Sequence, residues 1–157
     1  MASDILSLAD ALVTDIQNRS TPIYADTVVS RQYEMTYDLG TFEKRRIDIY
    51  PFKYSTVKDT SREDSEYEFQ YSLVVMERYK NKGNVNKQWI DDLILFVKDQ
   101  IFNPFDNPDP YMIVDGGVRY WVADVDVTTL YDFDFLKQHR VFWSEIEVSF
   151  RRITQSL

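Results

Sequence analysis

The sequence contains no cysteine among its 157 residues. Disulfides, thiolate metal sites and cysteine nucleophiles are therefore excluded. A single histidine and only four glycines are present, so there is no histidine pair for a metal and no glycine-rich loop to cradle a phosphate. The patterns GxxxxGK[ST], GxGxxG, GxSxG and HExxH do not occur;. The common catalytic classes built on these motifs find no support.

Long hydrophobic runs and a basic N-terminal segment are also missing. The longest apolar stretches are four or five residues, whereas a membrane-spanning helix needs about 20. The first ten residues carry Asp4 and Asp10 but no basic side chain, unlike a signal peptide;. We therefore expect no membrane partner, and a protein made and used in the cytoplasm or in an assembly formed there.

Acidic side chains outnumber basic ones by 26 to 18, which gives a formal charge of −8. This charge disfavours general nucleic-acid binding, which depends on Lys and Arg neutralising phosphates. It fits ordinary solubility, and equally a surface past which DNA slides. Eleven Tyr and ten Phe fit either an aromatic strand core or a protein interface, where tyrosine is enriched.

Hydrophobic periodicity predicts two amphipathic helices within a single domain spanning 1–157. The first covers 4–19, begins at Ser3 or Asp4 as a cap, and ends before Pro22;. The second covers 87–102 with Asn86 as its cap;. The following segment, 103–110, holds three prolines and is predicted to be an irregular loop.

Alternating apolar side chains predict about five strands. Pro51 lacks a backbone N–H and should lie on a sheet edge or at a strand end. Residues 130–139 form a link that could contain a short helical turn. Because no βαβ repeat occurs, we predict an α+β fold, with an antiparallel or mixed β-sheet and the two helices packed on one face. The predicted strands are 23–36, 46–54, 67–79, 118–128 and 141–153.

The segment 55–66 is polar except for Val57. It cannot bury a core of its own, and a loop of this length in a compact domain is often functional. We predict an exposed, mobile loop that becomes ordered against a neighbouring subunit. The candidate contact residues are Thr56, Val57, Lys58, Asp59, Arg62, Glu63 and Asp64.

Candidates for chemistry are few. His139 has no histidine or cysteine partner and is expected to be a surface or satisfied residue. Four aspartates could bind a divalent cation as in a nuclease, but their spacing does not match an EF-hand loop, and alternating Asp in a strand is more often a solvated face. We therefore predict no catalytic, cofactor or metal residues. The four aspartates in question are Asp124, Asp126, Asp132 and Asp134.

The sequence also contains two short groups of consecutive basic residues. Lys44, Arg45 and Arg46 are consecutive, as are Arg151 and Arg152. Such groups could contact an acidic patch on a partner or a phosphate backbone. More often they are simply solvated.

The order of elements resembles the neck and tail-terminator (tail-to-head joining) proteins of tailed bacteriophages. An N-terminal helix at 5–19 is followed by Asp38-Leu39 and the strand RIDIYP at 46–51. The long alternating strand at Tyr67 and a helix at 89–101 come next. The chain then ends in the strand FWSEIEVSFRR at 142–152.

This resemblance implies a structural virion protein and not an enzyme. Its copies would form a ring, expected to be a hexamer, between the head connector and the tail tube. The partners would be other copies, a head-completion or connector protein, and the tail tube protein. Genomic DNA would pass through without sequence-specific binding, repelled by acidic side chains in the lumen. The ring would be assembled in the host bacterial cytoplasm and end in the virion neck.

Other functions stay open on the residues alone. One is a different small virion adaptor or tail completion protein, and another is an assembly domain outside phages. The third is a metal-dependent, nuclease-like enzyme that uses the four aspartates.

Overall fold

The computed structural model describes residues 4–18, 27–33, 42–57, 65–107 and 111–154. Within them, six strands form one sheet in the order β1-β2-β3-β6-β5-β4. β1 runs parallel to β2, and every other neighbouring pair is antiparallel. The predicted α+β class is confirmed, with six strands instead of about five. They are β1 (Thr27–Arg31), β2 (Arg45–Val57), β3 (Ser65–Arg78), β4 (Met112–Asp115), β5 (Val118–Thr129) and β6 (Val141–Thr154).

Three helices accompany the sheet in the described residues. α1 spans Asp4–Gln17. α2 has three consecutive parts: an α-helical part, Lys87–Leu95, a π-helical segment, Phe96–Phe102, and a short α-helical turn, Asn103–Phe105. α3 spans Phe133–His139. It confirms the helical turn predicted within residues 130–139. The predicted cap of α2 is confirmed, since the Asn86 side chain accepts the Gln88 N–H at 2.7 Å.

The two long helices cover one face of the sheet, which we call the helix face. Leu8, Leu12 and Ile16 lie one helical turn apart and are fully buried;. They share a core with α2 and with the alternate side chains of the three central strands. Tyr71 ties α1 to this face, because its hydroxyl donates to the Ile5 carbonyl at 2.7 Å.

The described residues cover the opposite side of the sheet, the outer face, at one end only. Strand side chains alternate between faces, so Val74, Met76 and Val141 form a second, smaller cluster there. Phe135 of α3 packs against it. The third helix therefore lies across the sheet from the two that the periodicity predicted.

The polar segment 55–66 is partly strand, which corrects its prediction as a loop. Thr56 pairs with Tyr67, and Val57 pairs with Glu66. Thr56 and Val57 are β-branched and favour extended backbone, and the long register of the β2–β3 hairpin carries the pairing beyond the apolar part of the sequence. The inner residues, 58–64, lie outside the described part of the chain.

The Pro-rich segment 103–110 was also predicted too simply. Asn103–Phe105 is helical, because α2 continues without a break through its π-helical segment and buries Phe105 in the core. Asp106 and Asn107 follow without regular structure. Residues 108–110 lie outside the described part.

The strand β4 was missed by the periodicity. Only four residues long, it pairs with β5 through a tight turn in which Gly116 and Gly117 have φ of 58° and 81°. A Gly-Gly pair between two apolar runs is a hairpin signal, so this strand was recognisable.

Pro51 agrees with its prediction. β1 pairs with β2 only as far as Ile49, so Pro51 lies where β2 pairs with β3 alone among the described residues, next to a β-bulge;.

The first predicted strand, 23–36, is seen as β1; its residues 23–26 and 34–36, with Asp38-Leu39, lie outside the described part. No described helix is long and apolar enough to cross a membrane.

Candidate functional site

The end of the β2–β3 hairpin presents aromatic side chains on the helix face. Tyr54 stacks on Tyr67 with ring centroids 5.8 Å apart and contacts Phe69 at 5.2 Å. The Arg152 guanidinium lies over the Tyr67 ring at 4.6 Å. Half of Tyr54 is still exposed, as is half of Phe52 at the bulge. We call Phe52, Tyr54, Tyr67 and Arg152 the hairpin-end surface; Phe69 is buried beneath it.

This surface leads directly into the predicted inter-subunit loop. Thr56 and Val57, the first two candidate residues, continue β2 beyond Tyr54. Lys58, Asp59, Arg62, Glu63 and Asp64 lie outside the described residues, so their predicted contact role stays a prediction. The ends of the two strands, Val57 and Ser65, lie at the same end of the sheet as Tyr54 and Tyr67.

A second group of exposed apolar side chains lies at the other end of the sheet, between β5 and α3. Leu130, Tyr131 and Phe133 are 44%, 39% and 62% exposed. The start of α3 fixes their direction, because Asp132 caps the helix by accepting the Phe135 N–H at 2.9 Å;. Phe135 and Leu136 then point inward. Leu130, Tyr131 and Phe133 form what we call the β5–α3 cluster.

Four carboxylates come together on the open part of the outer face. Asp126 lies directly opposite Glu147 across β5 and β6, Asp124 is opposite Ser149, and Glu145 is opposite Thr129. Asp124, Asp126 and Glu147 are exposed, while Glu145 accepts the Ser72 hydroxyl at 2.7 Å. The acidic sheet face is the name we give to Asp124, Asp126, Glu145 and Glu147. Sequence reasoning treated β5 and β6 separately and did not anticipate their combination.

The first basic group is divided between the two faces of the sheet. Arg45 lies 4.2 Å from the Phe96 ring and pairs with Glu77 at 3.1 Å. Arg46 points to the outer face and pairs with the buried Asp48 at 3.2 Å. Lys44 is exposed. The three cations therefore do not form a common binding surface.

The second basic group is divided in the same way. Arg151 pairs with Glu68 at 3.2 Å on the outer face. Arg152 instead belongs to the aromatic contacts of the hairpin end. Both side chains therefore have internal partners.

A different set of cations gathers where β3 ends and β6 begins. An open hollow of about 460 Å³ is lined by Arg78, Lys80, Lys82 and Arg140, together with His139. Arg140 has left-handed backbone at the end of α3, with φ of 56°, and donates to the Asn81 carbonyl at 2.6 Å. We call the four cations the basic corner. The local signal was the run ERYKNKGNVNK at 77–87, but Arg140 reaches it only through the fold.

A larger open groove of about 800 Å³ lies between α2 and the ends of β2 and β3. Its wall holds a connected set of side chains: Glu77 accepts the Trp89 indole N–H at 2.6 Å and also pairs with Arg45. The lining mixes acids and bases, including Glu43, Lys80 and Asp99. Because these charges largely partner one another, the groove offers no surface of one charge.

The four aspartates considered for metal binding lie in different places in the fold. Asp124 and Asp126 lie on the acidic sheet face, Asp132 caps α3, and Asp134 is in the first turn of that helix. Among the described residues, no three His, Asp or Glu side chains form a group that could hold a metal ion. His139 is exposed and contacts the Phe135 ring at 4.7 Å.

Comparison with known proteins gives no family. No protein-family model matches the chain, and no curated protein matches it. One solved structure aligns over 100% of this chain and 99% of its own, with 12% identity and a TM-score of 0.42. A similarity at that level carries no argument about fold or function.

Proposed function

We propose that the chain is a structural subunit of the tailed-phage neck, a tail terminator or head–tail joining protein that forms a ring of six copies between the head connector and the tail tube. The observation that carries this proposal is the presence of two distinct exposed apolar surfaces on one chain. A head-to-tail ring needs two different surfaces per subunit, whereas a two-fold dimer needs one.

The two surfaces stand at opposite ends of the sheet. The β5–α3 cluster adjoins Thr129, which pairs with Glu145 of β6, while Tyr54 is in register with Phe69 and hence with Phe150. Five residues of extended β6 separate those positions, about 17 Å. A subunit can therefore contact one neighbour through each end.

The composition of both surfaces supports protein contact. Exposed tyrosine and phenylalanine supply large contact area at low conformational cost and are enriched in interfaces. The hairpin-end surface also holds Arg152 over its rings, and arginine is likewise enriched there. No described residue group suggests a competing catalytic use of either surface.

The proposal also includes passage of DNA through the ring. The net charge of −8 supports this, because a surface of like charge does not retain phosphates. The internally paired Arg45, Arg46 and Arg151 support it further. We expect duplex DNA to bind weakly and without sequence preference, with the tail tube and head connector as the protein partners.

Size-exclusion chromatography with light scattering tests the proposal. The wild-type chain, 18.7 kDa, should form assemblies several times that mass. Tyr54→Ser and Phe133→Ser should each reduce the assembled fraction, because each removes one of the two contacts. Tyr33→Ser is the matched control, since Tyr33 is 67% exposed and belongs to neither surface. Assemblies that are unaffected by both variants would count against the proposal.

A further inference from the structure

We propose that the acidic sheet face of one copy docks against the basic corner of a second copy of this chain. The inference rests on the proposed ring and specifies which charged surfaces meet in it. It concerns an interface, not an ion site, since the four carboxylates form no group suited to a metal among the described residues.

The acidic sheet face carries uncompensated charge. None of Asp124, Asp126, Glu145 and Glu147 forms an ion pair with another described residue. Asp126 and Glu147 are direct cross-strand neighbours, and like charges placed opposite each other destabilise a sheet. A basic surface placed over this face would relieve that repulsion.

The basic corner has the opposite imbalance. The described residues that line its hollow include four cations and no carboxylate. Glu43 pairs with Arg78 at 3.2 Å and with Lys80 at 3.5 Å, so one acid partly offsets two of the four. Lys82 is exposed and has no ion pair in the described part of the chain.

The two surfaces are too far apart to form ion pairs within one chain. Arg78 is opposite Val141, and Glu145 lies four residues farther along β6. That distance is about 13 Å at 3.3 Å per residue, beyond the Debye length of about 8 Å at physiological ionic strength. A second copy brings a complementary surface to each of them.

The β5–α3 cluster adds apolar contact next to this charge. Leu130 follows Thr129, which is paired with Glu145 of the acidic sheet face. A surface with exposed apolar side chains beside charged ones has the composition of a protein interface. The charges would set register and association rate, and the apolar side chains would supply affinity.

The test uses two charge-reversed chains and a matched control. The acid-reversed chain is Asp126→Lys/Glu147→Lys, and the base-reversed chain is Lys80→Glu/Lys82→Glu. The control, Asp91→Lys/Lys98→Glu, reverses two exposed charges on α2. Circular dichroism first establishes that each chain is folded. Sedimentation velocity and light scattering then measure association at low salt.

Each reversed chain alone should associate at least about tenfold more weakly than wild type, since like charges now meet. A 1:1 mixture of the two should recover association, because both contacts between unlike chains pair opposite charges. The control should behave as wild type. Raising salt from about 0.01 M to about 1 M shortens the Debye length from about 30 Å to about 3 Å and should weaken wild-type association.

Three results would overturn the inference: reversed chains that associate like wild type, a mixture that associates no better than its components, or a wild type that stays monomeric throughout. The ring is judged separately. Recovery that stops at dimers would support the interface and contradict the ring. Rings formed equally by every variant would support the ring and contradict this interface.

Discussion

Asp132 illustrates how one side chain can match two functions in the sequence and serve only one in the fold. With Asp124, Asp126 and Asp134 it forms a group of four aspartates close together in the sequence. The backbone turn before α3 instead directs its Oδ1 to the Phe135 N–H. A run of alternating acids therefore divides into a helix cap and a strand face, because strand and helix place consecutive side chains in different directions.

At this scale we predict that Asp132→Ala lowers the free energy of unfolding by about 1 kcal/mol, the usual effect of losing an N-cap. Asp134→Ala is the control: its charge lies in the same helical turn but is exposed, so its loss should cost only about 0.3 kcal/mol. Urea denaturation measures both. Equal losses for the two variants would show that the cap contributes nothing beyond charge.

Glycines of the β4–β5 turn make a second prediction. Gly116→Asn should change stability little, because asparagine tolerates left-handed backbone and Asn-Gly is a favoured sequence for such turns. Gly117→Val should cost about 1–2 kcal/mol, since φ there is 81°. No atom lies within 4 Å of a Cβ added at either position, so steric contact cannot confuse the comparison. A thermal unfolding series gives the answer, and equal midpoints would refute it.

At the level of elements, periodicity predicted what is driven by burial. α1, β3 and β6 were expected close to their observed bounds because each buries a regular stripe in one core;. The π-helical segment at Phe96–Phe102 and the turn at Pro104 were not expected, since both depend on backbone geometry that apolar spacing does not encode.

The pairing of strands accounts for the features that the sequence patterns did not predict. Thr56 and Val57 are strand residues because β3 continues beside them, not because they are apolar. The acidic sheet face exists only through the register of β5 with β6, and the basic corner only through the approach of Arg140 to the end of β3. Residues far apart in sequence were brought together by topology, which single-strand patterns do not determine.

The hairpin provides the element-scale prediction. Replacing residues 58–65 by Asn-Gly should keep the fold, because Val57 pairs with Glu66 and a two-residue turn between paired residues suits an antiparallel hairpin. The replacement should abolish assembly if the loop reaches a neighbouring subunit. A Gly/Ser loop of the same length as the native loop, in the same place, is the control for length. Light scattering reads assembly, and circular dichroism reads the fold. Full assembly with the two-residue turn would remove the loop from the proposed interface.

On the scale of the whole molecule, the described surface carries exposed apolar side chains and charged regions at separate places. Apolar side chains are exposed at both ends of the sheet, and the acidic sheet face and the basic corner are separate charged regions. Such an arrangement suits heterologous contacts, which close into a ring if the rotation between subunits permits and otherwise extend into fibres.

Negative-stain electron microscopy of the purified chain would show the proposed ring itself. We expect closed rings with a central opening and six copies around each, which disperse when Tyr54 and Phe133 are both replaced by serine. Images that contain only single chains at every concentration, or open fibres instead of closed rings, would contradict the proposed ring.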